Sequence, residues 1–244
     1  MKSKKYQSHK GLFITGTDTG VGKTVITGAI ARALANDGMD VGVMKPIATG
    51  CMPRREGWVS QDAEFLAQVA DVPEPLHIIN PVSIPEPLAP SVAARRANTS
   101  VDFDAIERAY SEICERHDVV LIEGIGGMLV PLSDDMLVAD MAVSFGLPVI
   151  IVARPGLGTI NHTLLTVEVC RTRGLDVAGV IINGFRADKA GIAEETNPEE
   201  ISRASNVPVL AVVPWDDRTS LAGAQVGEAV LSAVAQIRLK RLLR

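Results

Sequence analysis

The sequence predicts an α/β protein: a doubly wound, mostly parallel sheet in a single domain with a P-loop NTPase fold. Three observations carry this. Short runs rich in Val and Ile alternate with segments whose apolar residues recur every three or four positions, the pattern of βαβ units around a buried sheet. The first run, Leu12–Thr15, passes directly into Gly16-Thr17-Asp18-Thr19-Gly20-Val21-Gly22-Lys23-Thr24, a glycine-rich turn ending in Gly-Lys-Thr. Finally, 244 residues with 47% hydrophobic content can build one large domain around a well-buried core.

The elements follow in order. Residues 1–10 are basic, lack the apolar stretch of a signal peptide and read as a disordered tail. Strands are expected at 12–15, 41–44, 119–122, 149–153, 178–182 and 209–213, where Val, Ile and Leu run together. Helical spacing of apolar residues places helices at 24–36, 103–116, 137–145, 160–172 and 198–205, and from 222 to the end. The proline-rich stretch Pro73–Pro90 interrupts the alternation and reads as an irregular excursion, either a cover over a site or a passive surface loop.

Composition narrows the function. A net charge of −5 disfavours a chain that coats nucleic acid, because counterion release rewards basic surfaces. No apolar run is longer than that of Val149–Ala153, which is far too short to span a bilayer. Cys51, Cys114 and Cys170 lie far apart with no C-x-x-C pair among them, which speaks against a zinc site or a disulfide framework. A cytoplasmic protein working on small molecules is expected.

In open parallel sheets the ligand lies over the carboxyl ends of the strands. At the first, the glycines let backbone N–H groups wrap a polyphosphate and the following helix presents its positive end. Gly20, Val21, Gly22, Lys23, Thr24 and Val25 are therefore expected to bind ATP, Lys23 reaching the β- and γ-phosphates and the Thr24 hydroxyl ligating Mg²⁺. The loop departs from the plain pattern: position 17 is Thr17, and the first glycine, Gly16, sits one step earlier. At the second strand end, Lys45 is either a second cation for a transferring phosphoryl group or a solvated strand-end lysine. Thr49 is a hydroxyl donor to ligand or an ordinary turn residue. At the third, Val119-Val-Leu-Ile-Glu123 delivers a carboxylate followed by Gly124-Ile125-Gly126, the position of a Mg²⁺-binding acid. Asp62 is either a helix N-terminal acid complementing the macrodipole or, with Thr24 and Glu123, a third oxygen ligand of Mg²⁺. At the fifth, Asn183-Gly184 could read a nucleobase edge. The continuation Phe185-Arg186 lacks the acid of a guanine site, so ATP is the default nucleotide. No Ser-His-Asp or Cys-His arrangement stands out, and direct transfer is expected.

Together these residues resemble the dethiobiotin synthetases of biotin biosynthesis. The matching segments are GTDTGVGKT at 16–24, KPIATG at 45–50, Asp62, EGIGG at 123–127, PLSD at 131–134, LGTINH at 157–162, the Asn183 strand end and Val213-Pro214-Trp215. The displaced glycine of the loop is this family's spacing. The resemblance implies a synthetase domain over 11–244 and a ligase reaction. In it, 7,8-diaminononanoate takes up CO₂ as a carbamate, ATP phosphorylates the carbamate, and the second amine closes the ring, releasing dethiobiotin, ADP and phosphate. It further implies that Lys23 and Lys45 are catalytic. Gly124, Ile125 and Gly126 lie beside the nucleotide, Gly126 also touching substrate, and Pro214, Trp215 and Asp216 accompany Asn183 and Gly184 at the adenine. Thr19 and Thr49 contact substrate or phosphate. Gly158, Thr159 and Asn161, at a helix start, receive the substrate carboxylate across a homodimer; on residues alone the alternative is an N-capped surface helix. The rival reading is a partition-type ATPase switch that binds a partner or membrane, for which the basic, amphipathic end Ile237–Arg244 speaks. Such switches carry an extra lysine early in the loop, where this chain has Gly16-Thr17-Asp18.

Overall fold

The computed structural model describes residues 9–55 and 57–243. In chain order the elements are β1 (Gly11–Gly16), α1 (Lys23–Asn36), β2 (Val41–Met44), β3 (Ile47–Thr49), β4 (Met52–Arg54), β5 (Gly57–Val59), α2 (Gln61–Ala70), α3 (Leu76–Ile79), β6 (Val82–Ile84), α4 (Pro90–Arg96) and α5 (Phe103–Arg116). They continue with β7 (Val119–Glu123), α6 (Val138–Phe145), β8 (Val149–Ala153), α7 (Thr159–Thr172), β9 (Val177–Phe185), α8 (Ile192–Ser205), β10 (Val209–Pro214) and α9 (Glu228–Ala235). The main sheet has the order β10-β9-β8-β1-β7-β2, all pairs parallel.

Every residue of β1, β2, β7 and β8 is buried, which is why these strands read as unbroken apolar runs. The alternation of side chains sorts them onto two faces. Phe13, Ile122 and Ile151 belong to the core under α5, α6 and α7, with Tyr110 edge-on to Phe145 at 4.9 Å. Leu12, Ile14, Leu121 and Ile150 belong to the opposite core under α1, α2 and α9. Because β7 lies between β1 and β2, the chain segments following all three strands open side by side at one sheet edge.

Three expectations are corrected. The Pro73–Pro90 stretch is ordered: α3 is followed by β6, which pairs in parallel with β3, Ile47 opposite Val82 and Thr49 opposite Ile84. These elements are too short, and too interrupted by proline, to show a period in the sequence. The last helix is α9 rather than residues 222 to the end. Ala224 takes φ 45° and Ser220 bridges Gln225, so the helix starts only after Gly227. A short 3₁₀ turn, Leu239–Arg241, follows, with Ile237 and Leu239 buried against the α1 side of the core. The penultimate helix begins at Ile192, not Pro198; Glu194 accepts the Gly191 N–H at 2.9 Å, and Asn197 donates to the Pro155 carbonyl at 2.7 Å, anchoring the turns before the proline. Residues 1–8 of the expected disordered tail lie outside the described residues. The rest of that tail joins the fold: Val120 donates to the Lys10 carbonyl at 2.9 Å, and His9 Nε2 donates to that of His117 at 2.8 Å. Among the described residues no helix is long and apolar enough to cross a membrane.

Candidate active site

β1 ends at Gly16, and residues 17–22 turn the chain into α1. Gly20 and Gly22 hold φ of 78° and 92°, left-handed backbone that costs a residue with a side chain about 1–2 kcal/mol. Gly22 is the N-cap of α1 and offers no side-chain cap. The first-turn N–H groups are thus left for an anion. Lys23 crosses the turn to donate to the Asp18 carbonyl at 3.1 Å.

Lys45 follows β2, and its ammonium is 3% exposed. It stands 2.6 Å from Glu123 Oε1, 3.0 Å from Asp62 Oδ2 and 3.2 Å from the Gly124 carbonyl. Thr24 donates its hydroxyl to the same Glu123 oxygen at 2.9 Å. Asp62 is carried here by the first turn of α2, whose N-cap Ser60 accepts the Ala63 N–H. The strand-end lysine is therefore not a solvated one, and Asp62 does more than complement a helix dipole.

Burial opposes charge throughout this cluster. It lowers the Lys23 pKa to about 8, with the nearby Lys45 charge acting the same way. Burial works against the Lys45 ammonium too, but Glu123 and Asp62 outweigh it and hold its pKa above the ordinary lysine value. Asp62 is likewise penalised by burial, yet Lys45 keeps it below the usual carboxylate range. Burial raises Glu123, with Lys45 pulling the other way. Across the tightly coupled Lys45–Glu123 pair, the direction that governs is that of Lys45, which keeps its proton.

A hydroxyl and two carboxylates converging on one point are the hard oxygen donors that Mg²⁺ prefers, and one or two carboxylates suffice when phosphates and water complete its shell. Glu123 Oε2 is buried without a hydrogen-bond partner, an unspent acceptor that a cation would satisfy. Thr24, Asp62 and Glu123 therefore fit a Mg²⁺ ion.

A cavity of about 600 Å³ opens over this cluster. Thr19, Gly20, Gly22, Lys23, Thr24 and Val25 line it, together with Lys45, Thr49, Asp62, Glu123, Ile125 and Gly126. Val21 instead turns its side chain into the core and offers its carbonyl, at 2.9 Å, to the Asn183 amide. Gly124 lies under the site, where a Cβ would meet the Phe13 ring at 3.1 Å. Sequence reasoning did not find the part of the lining formed by Pro87, Leu88, Ala89 and Pro90, nor Ala48, Val130 and Leu221. Its one signal for the former was the proline-rich stretch, left undecided between cover and passive loop.

Two predicted groups lie outside this cavity's lining. Asn183 and Gly184 sit behind the P-loop, and the Trp215 indole, 53% exposed, lies 3.8 Å from where a Gly184 Cβ would be. The Arg186 guanidinium stacks 4.4 Å above the Trp215 ring, and Trp215 Nε1 donates to Asp217 at 2.6 Å. Pro214 ends β10 beside Phe185. The Asp216 carboxylate accepts from the Arg218 and Ala229 N–H groups at 3.0 and 3.1 Å, tying down the start of α9. The second group is Gly158, Thr159 and Asn161 at the start of α7. Gly158 is its N-cap with φ 90°, and Thr159 is fully buried with an unpartnered hydroxyl.

Lys23 sets a conflict between folding and function. Lys23→Met is expected to raise the melting temperature of the ligand-free protein, each kcal/mol counting for about 2–4 °C at this chain length, while abolishing ATP binding. A lysine whose pKa falls on folding opposes stability while protonated, and wild-type stability recovers as pH rises from about 8 towards the ordinary lysine value of the unfolded chain. The gap between variant and wild type should therefore be narrower at pH 9 than at pH 7. Differential scanning calorimetry with ATP titration checks both; a variant no more stable than wild type at pH 7 contradicts the assignment.

Residues 10–222 match the family described as an AAA domain. The ATP-dependent dethiobiotin synthetase BioD of Thermodesulfovibrio yellowstonii is 41% identical over 228 residues, covering 91% of this chain and 94% of its own. That of Bacillus subtilis is 41% identical over 205 residues, covering 84% and 87%. Among solved structures, the cell division ATPase MinD of Pyrococcus furiosus superposes with a TM-score of 0.52 at 17% identity, covering 92% of this chain and 95% of its own. The MinC:MinD complex of Aquifex aeolicus gives 0.59 at 16%, covering 93% of each. At such identities the likeness to MinD is one of fold.

Proposed function

The chain belongs to the ATP-dependent dethiobiotin synthetase family, and we propose that its substrates are 7,8-diaminononanoate and CO₂. It is an ATP-dependent ligase of biotin biosynthesis. The observation that supports the substrate reading most is the buried Lys45 ammonium between Glu123 and Asp62, beside the P-loop and over a cavity that Thr19 and Thr49 also line.

One amine of the substrate attacks CO₂ and loses a proton, giving a carbamate. A carbamate oxygen then attacks the γ-phosphorus and ADP leaves. The second amine attacks the carbamoyl carbon, the C–O bond breaks, and phosphate departs with that oxygen while the amine's proton is released. The difficult step brings a carbamate anion to a triphosphate. At about 4 Å two like unit charges repel by about 4 kcal/mol in a surface-like dielectric. Lys23 and Lys45 offset that repulsion with fixed charges, and backbone N–H groups of residues 20–25 hold the phosphates. Thr24, Asp62 and Glu123 would hold Mg²⁺, which when bound neutralises charge on the β- and γ-phosphates. Asn183, Gly184, Pro214 and Trp215 form the adenine side, with the exposed indole as a stacking surface; Asp216 acts there only indirectly, by fixing the loop. Gly124, Ile125 and Gly126 border nucleotide and substrate.

Gly158, Thr159 and Asn161 would take the substrate carboxylate from a partner subunit at the start of α7. The exposed Leu129, Leu157 and Leu165 nearby are apolar area suited to a homodimer face. The free thiols Cys51, Cys114 and Cys170 suit a reducing cytoplasm. The switch-ATPase reading is not retained, since relatives about 40% identical over most of the chain are named synthetases. Purified protein given ATP, Mg²⁺, bicarbonate and 7,8-diaminononanoate should yield dethiobiotin, ADP and phosphate in equal amounts by mass spectrometry and sediment as a dimer. ATP hydrolysis without dethiobiotin would refute the substrate assignment.

A further inference from the structure

Lys45 can act on a transferring group only if its backbone is held, and the hold comes from the proline-rich stretch. Pro81 bars helical backbone at the preceding residue, and Asn80 accordingly ends α3 at φ −132°, ψ 82°. Its side chain, in a residue 5% exposed, then meets the end of β2. Asn80 Nδ2 donates to the Lys45 carbonyl at 2.6 Å and to the Val82 carbonyl at 3.2 Å, while Oδ1 accepts the Ser83 hydroxyl at 2.6 Å. Two carbonyls on one side admit only the NH₂ end of the amide there, so the orientation follows from the network. The two neighbouring peptides are gripped as well: the Lys45 N–H donates to the Ile79 carbonyl at 2.7 Å, and the Val82 N–H donates to the Pro46 carbonyl at 3.2 Å. Residues 79–83 thus clamp Lys45 and Pro46 from both directions.

We propose that Asn80, oriented by Ser83, is a positioning residue that sets the Lys45 ammonium at the reacting phosphoryl group. This rests on the catalytic reading of Lys45. Without the Asn80 amide the Lys45 carbonyl is buried unpaired, and the strand end relaxes to find another donor. A shift of an ångström in a catalytic group costs up to about a hundredfold in rate. The P-loop lies on a different strand and is not touched by this network, so nucleotide affinity is spared.

The test is a double-mutant cycle on the full-length protein, following dethiobiotin formation and ADP affinity. Asn80→Ala should lower kcat by about tenfold to a hundredfold, with ADP affinity within about threefold of wild type. In the Lys45→Ala background the same substitution should cost almost nothing, because the group it positions is gone. If Asn80→Ala does not fold, Ser83→Ala takes its place in the cycle, with Ser83→Thr expected to restore the rate. An Asn80 effect that persists in full without Lys45, or a kcat unchanged in folded Asn80→Ala, overturns the proposal. Full activity in Lys45→Ala instead overturns the catalytic reading of Lys45, so the two failures are distinguishable.

Discussion

Lys45→Ala lowers turnover by about 10²–10³, the loss typical of removing one preorganised group that faces developing charge, while ADP still binds through the intact loop of residues 16–24. The ammonium sits 2.6 Å from Glu123 and 3.0 Å from Asp62, nearly sealed from water. Its removal leaves two carboxylates facing one another. Breaking a buried ion pair by deleting one partner costs about 3–5 kcal/mol, but Glu123 has an escape, since burial already favours its protonated form. Without Lys45 its pKa rises further, so the protonated form extends to higher pH. The stability deficit of the variant should accordingly grow as pH rises and shrink as pH falls into the carboxylate range. Mg²⁺ should recover part of it by taking over between the same oxygens. Steady-state kinetics, ADP titration and thermal unfolding with and without Mg²⁺ check these expectations. Turnover near wild type would show that the ammonium serves folding alone.

Gly22→Ala is expected to abolish measurable ATP binding, and with it turnover, for two separate reasons. The backbone at Gly22 has φ 92° and ψ 30°, a region alanine enters at a cost of about 1–2 kcal/mol. In addition, an added Cβ would lie 2.1 Å from Asn183 Nδ2, breaking the amide's bond to the Val21 carbonyl that ties β9 to the loop. Gly20 provides the control. It has φ 78°, but its Cβ would meet nothing within 4 Å, so Gly20→Ala bears the backbone strain without the collision. Isothermal titration with ATP should order the proteins as wild type, Gly20→Ala, Gly22→Ala. Equal losses in the two variants would mean that the Asn183 contact is not part of the nucleotide site.

Much of this site was legible because its parts sit where strands stop. Val41–Met44, Val119–Glu123 and the Asn183 strand are short runs rich in Val and Ile, each ending at or next to a charged or amide residue, and ligand sites gather at such ends. The pairing of Lys45 with both acids was not legible. It depends on β7 lying between β1 and β2 and on α2 returning Asp62 to the same edge, which are facts of three dimensions rather than of spacing. The Asn80 clamp and the lining at Pro87–Pro90 were hidden for another reason: β3 and β6 are three residues each, too short for a period, and prolines suppress every regular pattern around them. At the other end of the chain the error ran the opposite way. Alanine, valine and leucine after Ala222 sustain a helical rhythm, but Gly223, the left-handed Ala224 and Gly227 break it locally, and the apolar residues beyond α9 were needed by the core.

The central claim is that this site phosphorylates a carbamate formed from CO₂ and then closes the ring on it. The most direct measurement supplies bicarbonate uniformly labelled with ¹⁸O, in a reaction short enough to outrun exchange with water, and reads the phosphate by mass spectrometry. The mechanism predicts that each phosphate released with dethiobiotin carries one oxygen from the bicarbonate, because the carbamate oxygen that attacks phosphorus leaves with it. Unlabelled phosphate, formed alongside dethiobiotin from labelled bicarbonate, would contradict it.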